Sequence, residues 1–294
     1  MQKINLIKVE NSDLDQYSDE LFKSIKQDKE VYSLLLKQGF YDDIIKKNVS
    51  KFNDFRDDYY ASKQIKTYSD CIEKNKFYSL KLVNDNGIIE RQYDALEPYK
   101  DFMLYMSKFI YKDFDDKFNN ISWKDVEEKS SGFKAKISKI AKEKDEWIYI
   151  YGANRTGKTF AAIAVTNRFA KNHEDICFLK MSKRISELND YIFHDKEKFN
   201  KIIEQYINSS LLVLDGFGEE FMTDYSRDNI IVPILRARAE NGLFTIITST
   251  FTIDEIAKLY TSKNIDSSIR VKQLTGILNS KVKKLILTSN KPLY

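Results

Sequence analysis

The chain has 294 residues, 42% of them hydrophobic, and carries 48 Lys and Arg against 44 Asp and Glu, a net charge of +4. Three prolines and nine glycines exclude a collagen-like or Pro/Gly-rich chain, and no apolar run approaches the ~18 residues a membrane-spanning helix needs. Two cysteines, Cys71 and Cys177, cannot build a disulfide framework or a four-thiolate zinc site. The first sixteen residues lack the apolar h-region of a secretory signal, so a cytoplasmic chain of about two domains is expected.

The charge is unevenly spread. Residues 1–60 hold 10 Lys/Arg against 12 Asp/Glu, whereas residues 263–294 hold seven against one, Asp266. The basic end is compatible with a nucleic-acid surface or with a solvated tail, and both readings stay open.

In chain order, residues 14–60 read as helices. Leu21, Phe22, Ile25, Tyr32, Leu35 and Leu36 recur at three- and four-residue steps, as do Ile45, Val49, Phe52 and Tyr59. Two β runs, 77–83 and 88–93, flank Asn86-Gly87, a dipeptide suited to a tight hairpin because both residues tolerate positive φ. Residues 97–112 read as an aromatic helix. A charged stretch, 124–145, has few large apolar residues, and a domain boundary is placed at 118/119. From Glu146 the pattern alternates strand and helix. Strands are expected at 147–151, 176–179, 211–214, 244–248 and 282–287. Helices are expected at 160–171, 182–209, 227–241, 253–261 and 265–278. That alternation predicts an α/β domain over 119–294 with a parallel sheet, preceded by a smaller, mainly helical α+β domain over 1–118.

Gly152-Ala153-Asn154-Arg155-Thr156-Gly157-Lys158-Thr159 matches G-x-x-x-x-G-K-[ST], between a strand and the helix opened by Phe160. Such a loop turns successive N–H groups inward as an anion nest at a helix N-terminus. Lys158 is expected to reach the β- and γ-phosphates of ATP, and the Thr159 hydroxyl to hold Mg²⁺. Some 55 residues on, Leu211-Leu-Val-Leu-Asp215 delivers a carboxylate to a strand end beside that loop, where it can serve the same ion. These are the Walker A and Walker B elements.

The run LLVLDGFGEEFMTDYSRDN, with ILRARAENGLFTIITST, resembles the AAA+ ATPases that load replicative helicases, the DnaI and DnaC type. The match covers Asp215, Gly218, Glu219, Met222, Thr223, Tyr225, Arg227, Asp228 and Arg238. It is good over roughly 146–287 and weaker over 15–115. The resemblance implies an ATP- and Mg²⁺-dependent factor that grips the hexameric replicative DNA helicase and helps deliver it to single-stranded DNA. It implies an N-terminal helicase-binding domain and self-association through the AAA+ domain.

The chain departs from that family at three positions. The second acid expected after the Walker B aspartate is Gly216, leaving Glu219 or Glu220 to substitute. The sensor asparagine is Thr250. The second arginine of the finger motif is Leu274, and Arg270, one helical turn earlier on the same face, is the candidate in its place. Lys158, Asp215, Thr250 and Arg270 are therefore the expected catalytic set, with intact MgATP binding and slow or absent hydrolysis. The family's N-terminal zinc site is not expected, since Cys71 stands without a second cysteine or a histidine in that region. Phe77, Tyr78, Tyr93 and Tyr99 are expected to form a small core instead. Cys177 reads as core packing, and His173 and His194 as surface residues. Tyr225, Arg227, Lys283 and Lys284 read as DNA or partner contacts, or as exposed charge and loop packing. Other readings are a transposase-helper AAA+ ATPase, a nucleotide-gated adaptor with no useful hydrolysis, and, without support from the motifs, a small-molecule P-loop kinase.

Overall fold

A computed structural model describes residues 11–126, 132–221, 223–261 and 265–286. The chain divides into two compact units between Leu104 and Tyr105.

The first unit is helical with one hairpin. Its elements are α1 (Asn11–Gln27), α2 (Lys29–Lys37), α3 (Asp42–Lys47), α4 (Val49–Lys63), α5 (Tyr68–Glu73), β1 (Tyr78–Asp85), β2 (Ile88–Ala95) and all but the last two residues of α6 (Glu97–Met106). Asp28 caps α2, and Thr67 with Asp70 forms a capping box on α5. The helix periodicity buries Ile25, Val31, Leu35, Ile45, Phe52 and Phe55 in one core, which Leu80, Leu82 and Ile89 of the hairpin complete. Asn86 and Gly87 take φ of 50° and 90°, and the Asn84 side chain accepts from the Gly87 N–H at 2.9 Å. The aromatic expectation needs correcting. Phe77, Tyr78 and Tyr99 do group, joined by Tyr68 and Phe102, but Tyr93 is 64% exposed and the true core lies under α4. Tyr93 sits on β2, which among the described residues pairs with β1 alone, and most of that strand faces solvent.

The second unit is a six-stranded parallel sheet with helices on both faces. After β3 (Phe109–Lys112) come α7 (Phe133–Glu143), β4 (Trp147–Tyr151), α8 (Lys158–Ala170), β5 (Ile176–Lys180), α9 (Met181–His194), α10 (Lys196–Asn208) and β6 (Leu211–Asp215). A short helix, α11 (Asp224–Ser226), runs through a wide π turn at 227–231 into α12 (Val232–Glu240). Then follow β7 (Phe244–Ser249), α13 (Ile253–Tyr260), α14 (Ile265–Lys281) and β8 (Val282–Ile286). Residues 97–112 are not one helix: α6 ends at Met106, and Phe109–Lys112 pairs with β5 as an edge strand. A four-residue edge strand has no alternation to reveal it, only a neighbour to pair with.

The sheet order is β3-β5-β6-β7-β4-β8. The central strands are buried on both faces, as in a parallel sheet covered by helices on both sides. Ile148, Ile150, Phe178, Val213 and Ile246 pack against α7 and α8, while Tyr149, Leu179, Leu212, Leu214 and Ile247 face the other helical layer. The 124–145 stretch thus hides an amphipathic helix whose Phe133, Ile137 and Ile140 are buried.

Candidate functional site

The order of strands makes the site. β4 and β6 both flank β7, so the loop leaving β4 and the acid ending β6 meet above the C-terminal end of the strand between them. The loop curls through two left-handed residues, Arg155 at φ 61° and Gly157 at φ 90°. Gly157 starts α8 without a side-chain cap. The first-turn N–H groups of a helix have no partner inside it, and here they border a cavity rather than a capping side chain. The Lys158 ammonium spans the loop, donating to the carbonyls of Gly152 and Ala153 at 2.9 Å each, and Thr156 Oγ1 donates to the Ala153 carbonyl at 2.9 Å. Residues 154–159, with Asp215, Gly216, Glu219 and Thr248, line a cavity of about 150 Å³.

Asp215 Oδ1 accepts two hydroxyls, Thr159 Oγ1 at 2.7 Å and Thr248 Oγ1 at 2.7 Å. The Thr248 oxygen in turn accepts the Gly216 N–H at 3.0 Å. Burial pushes the Asp215 carboxyl up, and the two hydroxyls pull it back. Burial likewise lowers the Lys158 ammonium, opposed by Glu219 and then Asp215. A hydroxyl and a carboxylate side by side are the hard oxygen donors that Mg²⁺ takes, phosphate oxygens and water completing an octahedron. The donor set therefore fits the ion.

The expected residues divide. The loop, Lys158, Thr159 and Asp215 come together. Phe160 packs half-buried behind the loop, against the core on the α7 and α8 side of the sheet. Thr250 lies one residue beyond β7 and does not line the cavity; the hydroxyl on Asp215 belongs to Thr248. The sequence carries both threonines in Thr248-Ser-Thr250, and only the strand register separates them. Arg270 and Leu274 do not share an environment: Arg270 is exposed on α14, whereas Leu274 is fully buried with Val271 and Leu278. The leucine is thus a core residue at the finger position.

Arg227 is neither an exposed charge nor open to DNA or a partner, and packs inside the fold. It is 1% exposed, pairs with Asp224 and Asp228, and donates to the Tyr260 carbonyl and Ser267. Tyr225, Lys283 and Lys284 are exposed. Arg238, also buried, donates to the carbonyls of Tyr206, Ile207, Ser209 and Phe244, which ties α10 and β7 to α12. His173 is not a plain surface residue: it stacks on Phe169 and accepts from the Lys144 ammonium at 3.0 Å. His194 is exposed. Cys177 is buried in β5, its thiol pushed up to about 12 by burial. Met222 of the family-like run lies outside the described residues.

Over 120 residues the chain is 29% identical to the replicative helicase loader DnaI of Bacillus subtilis strain 168, covering 40% of this chain and 37% of that protein's length. The crystal structure of DnaI superposes with a TM-score of 0.53 at 21% identity, over 62% of this chain and 98% of that one, a likeness of fold. The DnaC helicase loader gives a TM-score of 0.48 at 20% identity, over 59% of this chain and 100% of that one. The model of the family described as IstB-like ATP binding protein matches residues 103–293. With its phosphate loop, Asp215 and parallel sheet in place, the chain belongs to that AAA+ family.

Proposed function

We propose that the chain is a MgATP-binding loader of the replicative helicase. The observation that carries the nucleotide part is the 2.7 Å contact between Thr159 and Asp215 at the mouth of the loop-lined cavity. In this reading the loop amides and Lys158 hold the polyphosphate, and Thr159 and Asp215 hold Mg²⁺, directly or through water. The loader part is supported by the likeness to DnaI and by the run from Asp215 to Asp228. The helical N-terminal unit contacts the helicase, and the AAA+ unit binds ATP, single-stranded DNA and further copies of itself. Zinc has no part in it, and elemental analysis of the purified chain is expected to find no stoichiometric zinc.

The test is co-sedimentation of the full chain with its hexameric replicative helicase, with and without MgATP. Capture is expected and should depend on nucleotide. Saturable ATP binding without helicase capture would leave an ATPase of another kind, and capture of a transposase instead would favour the transposase-helper reading.

A further inference from the structure

We propose that Glu219 is the carboxylate that activates water for hydrolysis of the bound nucleoside triphosphate, standing in for the side chain that Gly216 lacks. The inference rests on the nucleotide-site reading above and adds a catalytic residue to it.

The chain turns sharply after Asp215. Gly216 has φ 75°, and its carbonyl accepts the Glu219 N–H at 3.0 Å. This turn folds the Glu219 side chain back over the glycine: a Cβ built at Gly216 would lie 3.1 Å from Glu219 Oε2. The carboxylate therefore occupies the space beside residue 216, just past the metal-binding aspartate. Glu219 lines the phosphate cavity with Lys158, Thr159, Asp215 and Thr248. Its carboxylate makes no hydrogen bond or ion pair among the described residues. Its charge acts on the Lys158 ammonium across the cavity rather than on any structural contact.

The neighbouring acid is committed elsewhere. Glu220 is buried, its Oε2 accepts the Gly218 N–H at 2.8 Å, and its Oε1 accepts the Tyr260 hydroxyl. Gly218 is pinned from behind: at φ 90°, a Cβ there would lie 2.4 Å from Ile256 Cδ1 and 3.0 Å from Phe251 Cδ2. The back of the loop is anchored on α13, and Glu219 is the acid that faces the cavity.

In the step itself the water oxygen bonds to the terminal phosphorus as the bond from phosphorus to the bridging oxygen breaks. The electron pair of that bond leaves on the diphosphate. The water proton passes to a Glu219 oxygen and is returned to solvent or to the released phosphate.

The experiment compares the full wild-type chain with Glu219→Gln. Fluorescent ATP titration measures affinity, single-turnover phosphate release measures chemistry, and chromatography of the protein-bound nucleotide shows whether triphosphate persists. The variant should bind ATP within about twofold of wild type, hold it as triphosphate, and release phosphate at least ~100-fold more slowly, the usual contribution of a general base. Adding Gly216→Asp to the Glu219→Gln chain should recover part of the rate, since aspartate tolerates positive φ. Equal phosphate release by wild type and Glu219→Gln overturns the assignment, as does a wild type that binds MgATP yet never converts it. A wild type that binds no nucleotide sinks the underlying site reading instead.

Discussion

Two turns leave the same edge of the sheet and face each other across β7, yet they are built in opposite ways. The turn at 152–159 is local: its glycines, its lysine and the helix it opens are consecutive in sequence, and Lys158 binds carbonyls five and six residues away. The turn at 215–220 is tertiary: Asp215 depends on Thr159 and Thr248, Gly218 on Ile256, and Glu220 on Tyr260. In the proposed reading the first turn supplies the nucleotide contacts almost alone, whereas the second combines the proposed metal and water contacts with packing against α13.

That contrast can be broken by mutation. Lys158→Ala should weaken ATP binding at least ~100-fold, about 2.7 kcal/mol, in a fluorescent nucleotide titration, with a much smaller loss of stability. Comparable losses of both would show that the first turn is not local. Gly218→Ala should cost about 2–4 kcal/mol in denaturant unfolding, from positive φ and from overpacking on buried Ile256. An unchanged midpoint would mean the second turn is not pinned on α13. Thr248→Val keeps the shape but strips a donor from Asp215 and orphans the Gly216 N–H, a cost of about 1–3 kcal/mol. It should also raise the Mg²⁺ concentration needed for nucleotide binding.

The smallest effect sharpens the comparison through pH. Burial lifts the Glu220 carboxyl above its ordinary range. The folded chain then binds more protons there than the unfolded chain, so stability is present at low pH and falls as pH rises through the raised value. Glu220→Gln cannot ionise. Its melting temperature should gain on that of wild type from acid to neutral pH, by about 2–4 °C per kcal/mol. Parallel melting curves would show that Glu220 is not held in a desolvated site.

Legibility follows the same line. The helices of 11–63, the hairpin turn at Asn86-Gly87 and the strands at 147–151 and 211–215 were readable because their signals are periodic or sit in adjacent residues. The edge strand 109–112 was not, because its partner β5 lies some 65 residues on. Arg270 and Leu274 share a helical face by spacing, yet packing puts the leucine in the core and leaves the arginine in water. Arg227 looked like an exposed charge until Asp224, Asp228 and the Tyr260 carbonyl closed around it.

The order of residues alone determined that a G-x-x-x-x-G-K-T loop lies between a strand and a helix, and that an acid ends a buried strand downstream, because each of these is written within one turn or one strand. Folding decided which of two threonines meets that acid and which of two adjacent glutamates faces the cavity. Those choices depend on strand order and on what packs behind a loop, contacts between residues 30 to 60 positions apart that no local pattern encodes.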